Sequence, residues 1–206
     1  ICLHPVEVRD GYVHCQGESP DGESLCSLQK CPQRCTCNGH SLLCTNTNQT
    51  SIPFLSWEVR ALIFVKNKLR SVTTFPNDFS HIIFLDFSLN EINAIDHDSF
   101  LHFKSAKKLD LSFNHLEIIF HFAFRDLSFL EGLTLQGNPI YFIQGGVFHS
   151  QRVLVFLNLR NLTLGYLHHN MFYGSQFILN LDLSINKLTA FATSILNTLK
   201  YLEHLN

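Results

Sequence analysis

Residues 106–116 read Ala-Lys-Lys-Leu-Asp-Leu-Ser-Phe-Asn-His-Leu, and the same arrangement returns along most of the chain. Written as L-x-x-L-x-L-x-x-N-x-L, with other apolar residues allowed at the L positions, it begins at residues 59, 82, 106, 130, 154, 178 and 202. The first interval is 23 residues and every later interval is 24. Six full copies in one register, and a seventh that opens before Asn206, indicate a repeat architecture rather than chance agreement.

The apolar positions inside each copy have the spacing of a β-strand. Leu109 and Leu111 are two residues apart, so their side chains point to the same face. One copy cannot bury this face alone and must stack on its neighbours. The pattern is the signature of a leucine-rich repeat and predicts an α/β solenoid that is curved, with a parallel sheet on its concave face. Strands are predicted at residues 62–64, 85–87, 109–111, 133–135, 157–159 and 181–183.

Three columns of equivalent residues are predicted to hold the copies together. The Asn after each strand can donate and accept through its amide and so link successive turns; these residues are Asn67, Asn90, Asn114, Asn138 and Asn186. Leu162 replaces it in the fifth copy, where a different turn is expected. Two apolar columns follow, the first being Val72, Ile95, Ile119, Ile143, Leu167 and Phe191, and the second Phe100, Phe124, Phe148, Phe172 and Leu196. They should fill the convex side and account for many of the 19 Phe residues.

Composition restricts the possible partners and compartments. The net charge of −2, with mixed signs, gives no footprint for nucleic acid. No run of about 18 apolar residues exists, so no transmembrane segment is expected in this sequence, and a membrane anchor is possible downstream. All seven cysteines lie within residues 2–44, and the sequons at Asn48 and Asn161 agree with secretion. A secreted protein, or the extracellular side of the plasma membrane, is therefore expected.

Four cysteines stand directly before the repeats, with the spacing C-x3-C-x-C-x6-C from Cys31 to Cys44. Spacing alone leaves three disulfide connectivities, and a zinc site is the alternative. The segment resembles the N-terminal cap of extracellular leucine-rich-repeat proteins. That resemblance implies the bridges Cys31–Cys37 and Cys35–Cys44.

Three more cysteines, Cys2, Cys15 and Cys26, lie in a stretch similar to the last half of an LDL-receptor class A module. Arg9 stands where that family has a cysteine, and His14 where it usually has Asp. The family holds one calcium ion through acidic side chains, which implies Asp10, Asp21 and Glu23 as calcium ligands here. The simpler interpretation is a short irregular arm held by one disulfide. No other cofactor is expected.

The order of these segments resembles the ectodomain of leucine-rich-repeat G-protein-coupled receptors of the relaxin-receptor and GRL-type branch. It divides the chain into a class A-like segment (1–30), a cap (31–58) and seven repeats, the last truncated (59–206). The repeats alone would equally fit Toll-like receptors, Slit-like proteins, small proteoglycans or lamprey variable receptors.

Catalysis is not predicted. None of the 12 His residues has a metal-ligand spacing such as H-E-x-x-H. His97, Asp98 and Ser99 have the residue types of a catalytic triad, but three consecutive residues cannot form its geometry. No glycine-rich phosphate loop occurs either.

The outward strand positions form the predicted working surface, which includes Ala61 at its start. Apolar residues there mark a contact, and an interrupted row of acids could receive a basic ligand side chain. The predicted ligand-binding residues are Ile63, Val65, Phe84, Asp86, Lys108, Asp110, Phe156, Asn158, Arg160 and Asp182. The leading hypothesis is a non-enzymatic recognition module that binds a protein or peptide ligand as part of a cell-surface receptor. The alternative is a secreted matrix or assembly protein that uses the solenoid as a building block.

Overall fold

The computed structural model describes residues 31–72, 79–189 and 193–206, and the backbone of two short strands nearer the N-terminus. Those strands are β1 (Glu7–Arg9) and β2 (Tyr12–His14), which pair antiparallel. The calcium ligands predicted from the class A resemblance, Asp10, Asp21 and Glu23, lie outside the described residues.

One nine-stranded sheet runs through the cap and the repeats. Its first two strands, β3 (Thr36–Asn38) and β4 (Ser41–Leu43), form an antiparallel hairpin, and the seven that follow are parallel. These are β5 (Ala61–Ile63), β6 (Phe84–Asp86), β7 (Lys108–Asp110), β9 (Gly132–Thr134), β11 (Phe156–Asn158), β12 (Asn180–Asp182) and β13 (His204–Leu205). Between them, β8 (Ile118–Ile119) and β10 (Phe142–Ile143) form a separate parallel pair. The predicted solenoid is confirmed, with each strand one residue earlier than its predicted interval.

The returning segments consist mainly of turns. Within the described ranges the helical structure is one 3-10 helix, Thr193–Thr198, so the helical part of an α/β fold is small here. The reason is the distance between anchored core residues. Only four residues separate Ile119 from Phe124, about one turn of an α-helix, and both ends are buried.

The predicted apolar columns form the interior. Phe100, Phe124, Phe148 and Phe172 are fully buried and stack in order, with ring centroids 6.2, 6.1 and 6.4 Å apart. The column from Val72 through Leu167 is also buried, Leu196 is partly buried, and Phe191 lies outside the described residues. Stacked rings at a repeated spacing let each repeat bury its aromatic residue against the next one.

The asparagine column is a ladder of hydrogen bonds between repeats. Asn114 accepts from the Ile92 amide at 3.0 Å, and its Nδ2 donates to the carbonyls of Phe87 (2.9 Å) and Leu111 (3.0 Å). The Leu111 carbonyl also receives Nδ2 of Asn138, so one carbonyl is shared by two consecutive Asn residues. Asn90, Asn138 and Asn186 repeat this arrangement. Leu162 interrupts the ladder, as predicted.

The cap closes the first end of the sheet. The bridges Cys31–Cys37 and Cys35–Cys44 are both present, which confirms the pairing implied by the resemblance. Nδ2 of Asn67 donates to the Cys44 carbonyl at 2.6 Å, so the ladder continues into the cap. Leu42 and Cys44 are fully buried in the same core as the repeats. The cap therefore covers the apolar edge that β5 would otherwise expose to water.

Candidate functional site

The strand register places the outward side chains of the sheet in straight rows across the concave face. The first row is Ser41, Ala61, Phe84, Lys108, Gly132, Phe156, Asn180 and His204. The second is Leu43, Ile63, Asp86, Asp110, Thr134, Asn158 and Asp182. Eight of the ten predicted binding residues therefore lie in these two rows, and the other two, Val65 and Arg160, lie two residues after the ends of β5 and β11.

A depression of about 450 Å³ lies in this surface between Phe84 and Phe156. Gly132 forms its floor because it has no side chain, and Lys108, Asp110, Glu131, Thr134 and Val155 also line it. A Cβ built on Gly132 would meet only Cγ of Lys108, at 3.7 Å, so the space above this glycine is open. Phe156 is exposed and Phe84 half-buried. The arrangement offers two aromatic walls to an inserted side chain.

The acidic row is held in place by the backbone. Oδ1 of Asp110 accepts from the Ser112 amide at 2.7 Å, and Asp86 and Asp182 bind the Ser amide two residues later in the same way. Burial raises the pKa of Asp110 above its usual 3.8, and the nearby Asp86 adds to this, while the bonds from Ser112 oppose it. The carboxylates are therefore oriented and partly removed from water before any ligand arrives.

Asn158 and Arg160 are bonded within the face. Nδ2 of Asn158 donates to Oε1 of Gln136 at 3.0 Å, and the Arg160 guanidinium donates to Oγ of Ser184 at 2.8 Å. No ion pair joins Lys108 to an acid among the described residues, although Lys107 pairs with Glu131 at 2.8 Å. In the described structure, Lys108 is thus a cation of the depression without an ion-pair partner, and Asp110 and the Lys107-paired Glu131 line the same depression.

The apolar patch predicted at the first repeat is less open than expected. Ile63 and Val65 are half-buried, and Ala61 is fully buried, so the outward exposure predicted for Ala61 is wrong. The cause is the neighbouring cap, because β4 pairs with β5 and places Ser41 and Leu43 beside Ala61 and Ile63. Of the four apolar residues predicted, Phe84 and Phe156 line the depression, and these two lie on strands further from the cap.

Both sequons lie beyond the carboxyl ends of the strands. Asn48 and Asn161 are exposed and adopt left-handed backbone, with φ of 58° and 52°. Their glycosylation remains a prediction. Asn161 follows β11 by three residues, so a glycan there would stand at the edge of the concave face. Within the described part of the chain, no group of three or more His, Cys, Asp or Glu residues could hold a metal ion.

A second exposed surface, which strand alternation did not predict, lies at the opposite edge, three residues before each strand. Phe129, Val153, Phe177 and Tyr201 occupy this position in repeats four to seven, and we call them the lateral ridge. All four are exposed, and the rings of Phe177 and Tyr201 stack at 5.2 Å. The equivalent residues in the first three repeats are Glu58, His81 and Ser105. The 24-residue interval between the ridge residues was the signal available in the sequence.

Comparison with known proteins supports the fold. No protein-family model matches the chain, and no curated protein matches it either. Among solved structures, the crystal structure of a TLR13–ssRNA13 complex is similar, with a TM-score of 0.61 and 27% sequence identity. The match covers 73% of this chain and 25% of the other, so this chain spans about a quarter of that chain's length.

The fold and the cap together show a leucine-rich-repeat solenoid with a disulfide-bonded N-terminal end, similar in structure to the TLR13 chain. Such a solenoid is typically a non-enzymatic binding scaffold. The disulfides indicate an extracellular or lumenal, oxidising compartment. In the described residues, no helix has the length and apolar character needed to cross a bilayer.

Proposed function

We propose that the chain is the ligand-binding part of a cell-surface receptor and that its concave face recognises a protein or peptide. The depression between Phe84 and Phe156 is the observation that carries this proposal. It combines aromatic walls, an open glycine floor and oriented carboxylates. A mostly apolar pocket with a few fixed polar groups is typical of a recognition site. In the proposed division into segments 1–30, 31–58 and 59–206, this site belongs to the repeats. The order of the three segments resembles that of the receptor ectodomains named above and supports the receptor role.

The charges favour a ligand with a basic side chain. Asp86 and Asp110 are neighbours in the register, and the aliphatic stem of a ligand Arg or Lys could lie between the Phe rings while its cation meets these carboxylates. RNA is the partner named for the TLR13 complex. Asp86, Asp110 and Asp182 outnumber the cations Lys108 and Arg160 of this face and would repel a phosphate backbone, while Glu131 is already paired with Lys107. A basic protein segment is therefore the preferred ligand.

The alternative role, a secreted building block, is favoured by a different observation. The lateral ridge is an exposed apolar column away from the depression, and a solenoid used in assembly would need such a surface. The two roles predict different losses on substitution, because the depression and the ridge share no residue.

The experiment compares a panel of secreted proteins and peptides for binding to the wild-type chain and to two glycine variants. Gly132→Leu fills the depression from its floor, and the open space above Gly132 allows the variant to fold. Gly165→Leu is the matched control, because a Cβ at Gly165 meets no atom within 4 Å and this residue, seven positions after the end of β11, does not line the depression. A true ligand should bind the wild type and Gly165→Leu equally and lose at least about tenfold in affinity for Gly132→Leu.

A small probe tests the charge argument directly. N-acetyl-arginine amide should shift the backbone NMR signals around Gly132, and the neutral analogue N-acetyl-citrulline amide should shift them much less. A single-stranded RNA that binds at physiological salt and is displaced by Gly132→Leu would refute the protein-ligand proposal. A protein ligand unaffected by Gly132→Leu would show that the depression is not the recognition site.

A further inference from the structure

The lateral ridge has the composition of a protein contact rather than of a solvated edge. Each ridge residue is preceded by a polar or basic one, in the order Ser128, Arg152, Gln176 and Lys200, and all eight residues are exposed. None of the eight is acidic. With about 200 Å² for a whole aromatic residue, the exposed part of the four ridge residues comes to roughly 400 Å², the size at which an apolar patch marks an interaction site.

The ridge also lies on the edge of the solenoid that carries no sequon. Asn48 and Asn161 both follow strands, whereas Phe129, Val153 and Phe177 precede them. A glycan on either Asn would point away from the ridge and leave it free for a large partner. An anionic membrane is an unsuitable occupant, because such lipids belong to the cytoplasmic leaflet and the disulfides indicate the other side.

We propose that the ridge is the contact between two copies of this chain, which lie side by side and run in the same direction. A two-fold axis along the ridge would set each ridge residue against its own copy, Phe177 on Phe177 and Tyr201 on Tyr201. It would also set the column before the ridge against the column two residues after it, which is Glu131, Val155, Leu179 and Glu203. Lys200 of one copy then faces Glu203 of the other, and Ser128 faces Glu131.

Charge complementarity selects this arrangement over the antiparallel one. With the chains antiparallel and all four ridge residues overlapped, each flanking column would meet itself, and Glu131 would face Glu203 of the partner copy. Like charges so placed would oppose association. Lys200 and Glu203 are both exposed and have no ion pair within the described part of the chain, so each is available to a partner. By symmetry the Lys200–Glu203 pair would occur twice.

The area is at the lower end of the range for specific interfaces. A standard interface buries roughly 800 Å² per partner. The area buried here approaches that value only when the dimer covers the ridge and both flanking columns. The dimer is therefore a reversible one, formed at micromolar concentration in solution and promoted by confinement to a surface. The four ridge residues belong neither to the depression nor to the acidic row, although the flanking residue Glu131 also lines the depression.

Sedimentation velocity at protein concentrations up to roughly 100 μM tests the proposal, because this range populates a weak dimer. Wild type should dimerise and Phe177→Asp should remain monomeric. Tyr173→Asp, at an aromatic site that is more exposed than Phe177 and is not a ridge residue, should behave as wild type. Lys200→Glu alone and Glu203→Lys alone should each weaken the dimer about tenfold or more. The double variant Lys200→Glu/Glu203→Lys should restore it, since the pairs are re-formed with exchanged signs.

Three results would overturn the inference: a wild-type chain that stays monomeric throughout the range, a dimer that persists in Phe177→Asp, or a double charge variant no better than either single one. The charge variants alter only exposed residues, so they remain informative if Phe177→Asp impairs folding. Binding of the monomer to phosphatidylcholine vesicles with phosphatidylserine, lost in Phe177→Asp, would assign the ridge to lipid instead. Gly132→Leu should leave the dimer unchanged, which separates this proposal from that of the ligand site.

Discussion

Removal of Asn138 should destabilise the protein more than removal of Asn114, although the two residues are equivalent in the repeat. In Asn114→Ala, the carbonyls of Phe87 and Leu111 each keep a second amide donor, from Asn90 and Asn138 respectively. The Ser112 carbonyl loses Nδ2 of Asn114 but keeps the Leu89 amide, so the Ile92 amide is the group left without its partner. An unsatisfied buried donor costs about 1–3 kcal/mol, and the weakened carbonyl contacts add to it, so a loss of about 2–3 kcal/mol is expected.

Asn138→Ala leaves two groups unsatisfied. The Leu116 amide loses its acceptor, and the Leu135 carbonyl loses Nδ2 of Asn138, its one donor among the described residues. The next residue of the ladder would have supplied a second amide, but Leu162 stands there. Since Asn138 is 1% exposed, water cannot easily replace it. The expected loss is about 3–5 kcal/mol, or about 1–3 kcal/mol more than for Asn114→Ala.

Urea unfolding followed by circular dichroism measures both losses, and hydrogen exchange at the Ile92 and Leu116 amides locates them. Leu162→Asn provides the control, because it restores a donor near the Leu135 carbonyl. In that background the difference between Asn138→Ala and Asn114→Ala should disappear. Equal losses in the natural background, or a larger loss for Asn114→Ala, would refute the account of shared carbonyls.

Three other perturbations have defined outcomes. Leu133→Ala removes a fully buried strand residue and should lower the free energy of unfolding by about 2–5 kcal/mol, and an unchanged urea midpoint would contradict its burial. Reduction of the disulfides should abolish amide protection in residues 31–58 before the middle repeats, as followed by hydrogen exchange, whereas uniform loss along the chain would argue against nearest-neighbour coupling. Burial raises the pKa of Asp110, so the folded state holds that proton more tightly and stability falls as pH rises from 3.8 through the raised pKa. Asp110→Asn should therefore be more stable than wild type at neutral pH and lose this advantage below pH 3.8; unfolding curves across pH that stay parallel would count against it.

Most of the fold was predictable because the repeat specifies it redundantly. A period of 24 residues fixes which residues become neighbours, and the Asn and Phe columns then follow from that period without further information. The shift of each strand by one residue has little consequence, because side-chain alternation and register are unchanged. The helical content was the weaker part of the prediction, since four residues between Ile119 and Phe124 leave room only for a turn.

The candidate site was predictable in position but not in depth. Alternation identifies Phe84, Gly132 and Phe156 as outward residues. It does not predict that the missing side chain of Gly132 leaves a depression between the two rings. It also cannot show that a cap hairpin lies beside the first repeat and covers Ala61. The lateral ridge was missed for another reason: Phe129 and Phe177 lie outside the strands, where alternation does not apply.

The interruption of the ladder at Leu162 has a consequence for cooperativity. Among the described residues, the joint between the fourth and fifth repeats has no asparagine-ladder hydrogen bond, whereas the joints on either side have two each. Under stress the solenoid should therefore separate there first, into repeats one to four and five to seven. The depression crosses this joint, because Phe84 belongs to the first unit and Phe156 to the second. A ligand that contacts both rings would link the two units. In its presence, the two unfolding transitions should merge into one.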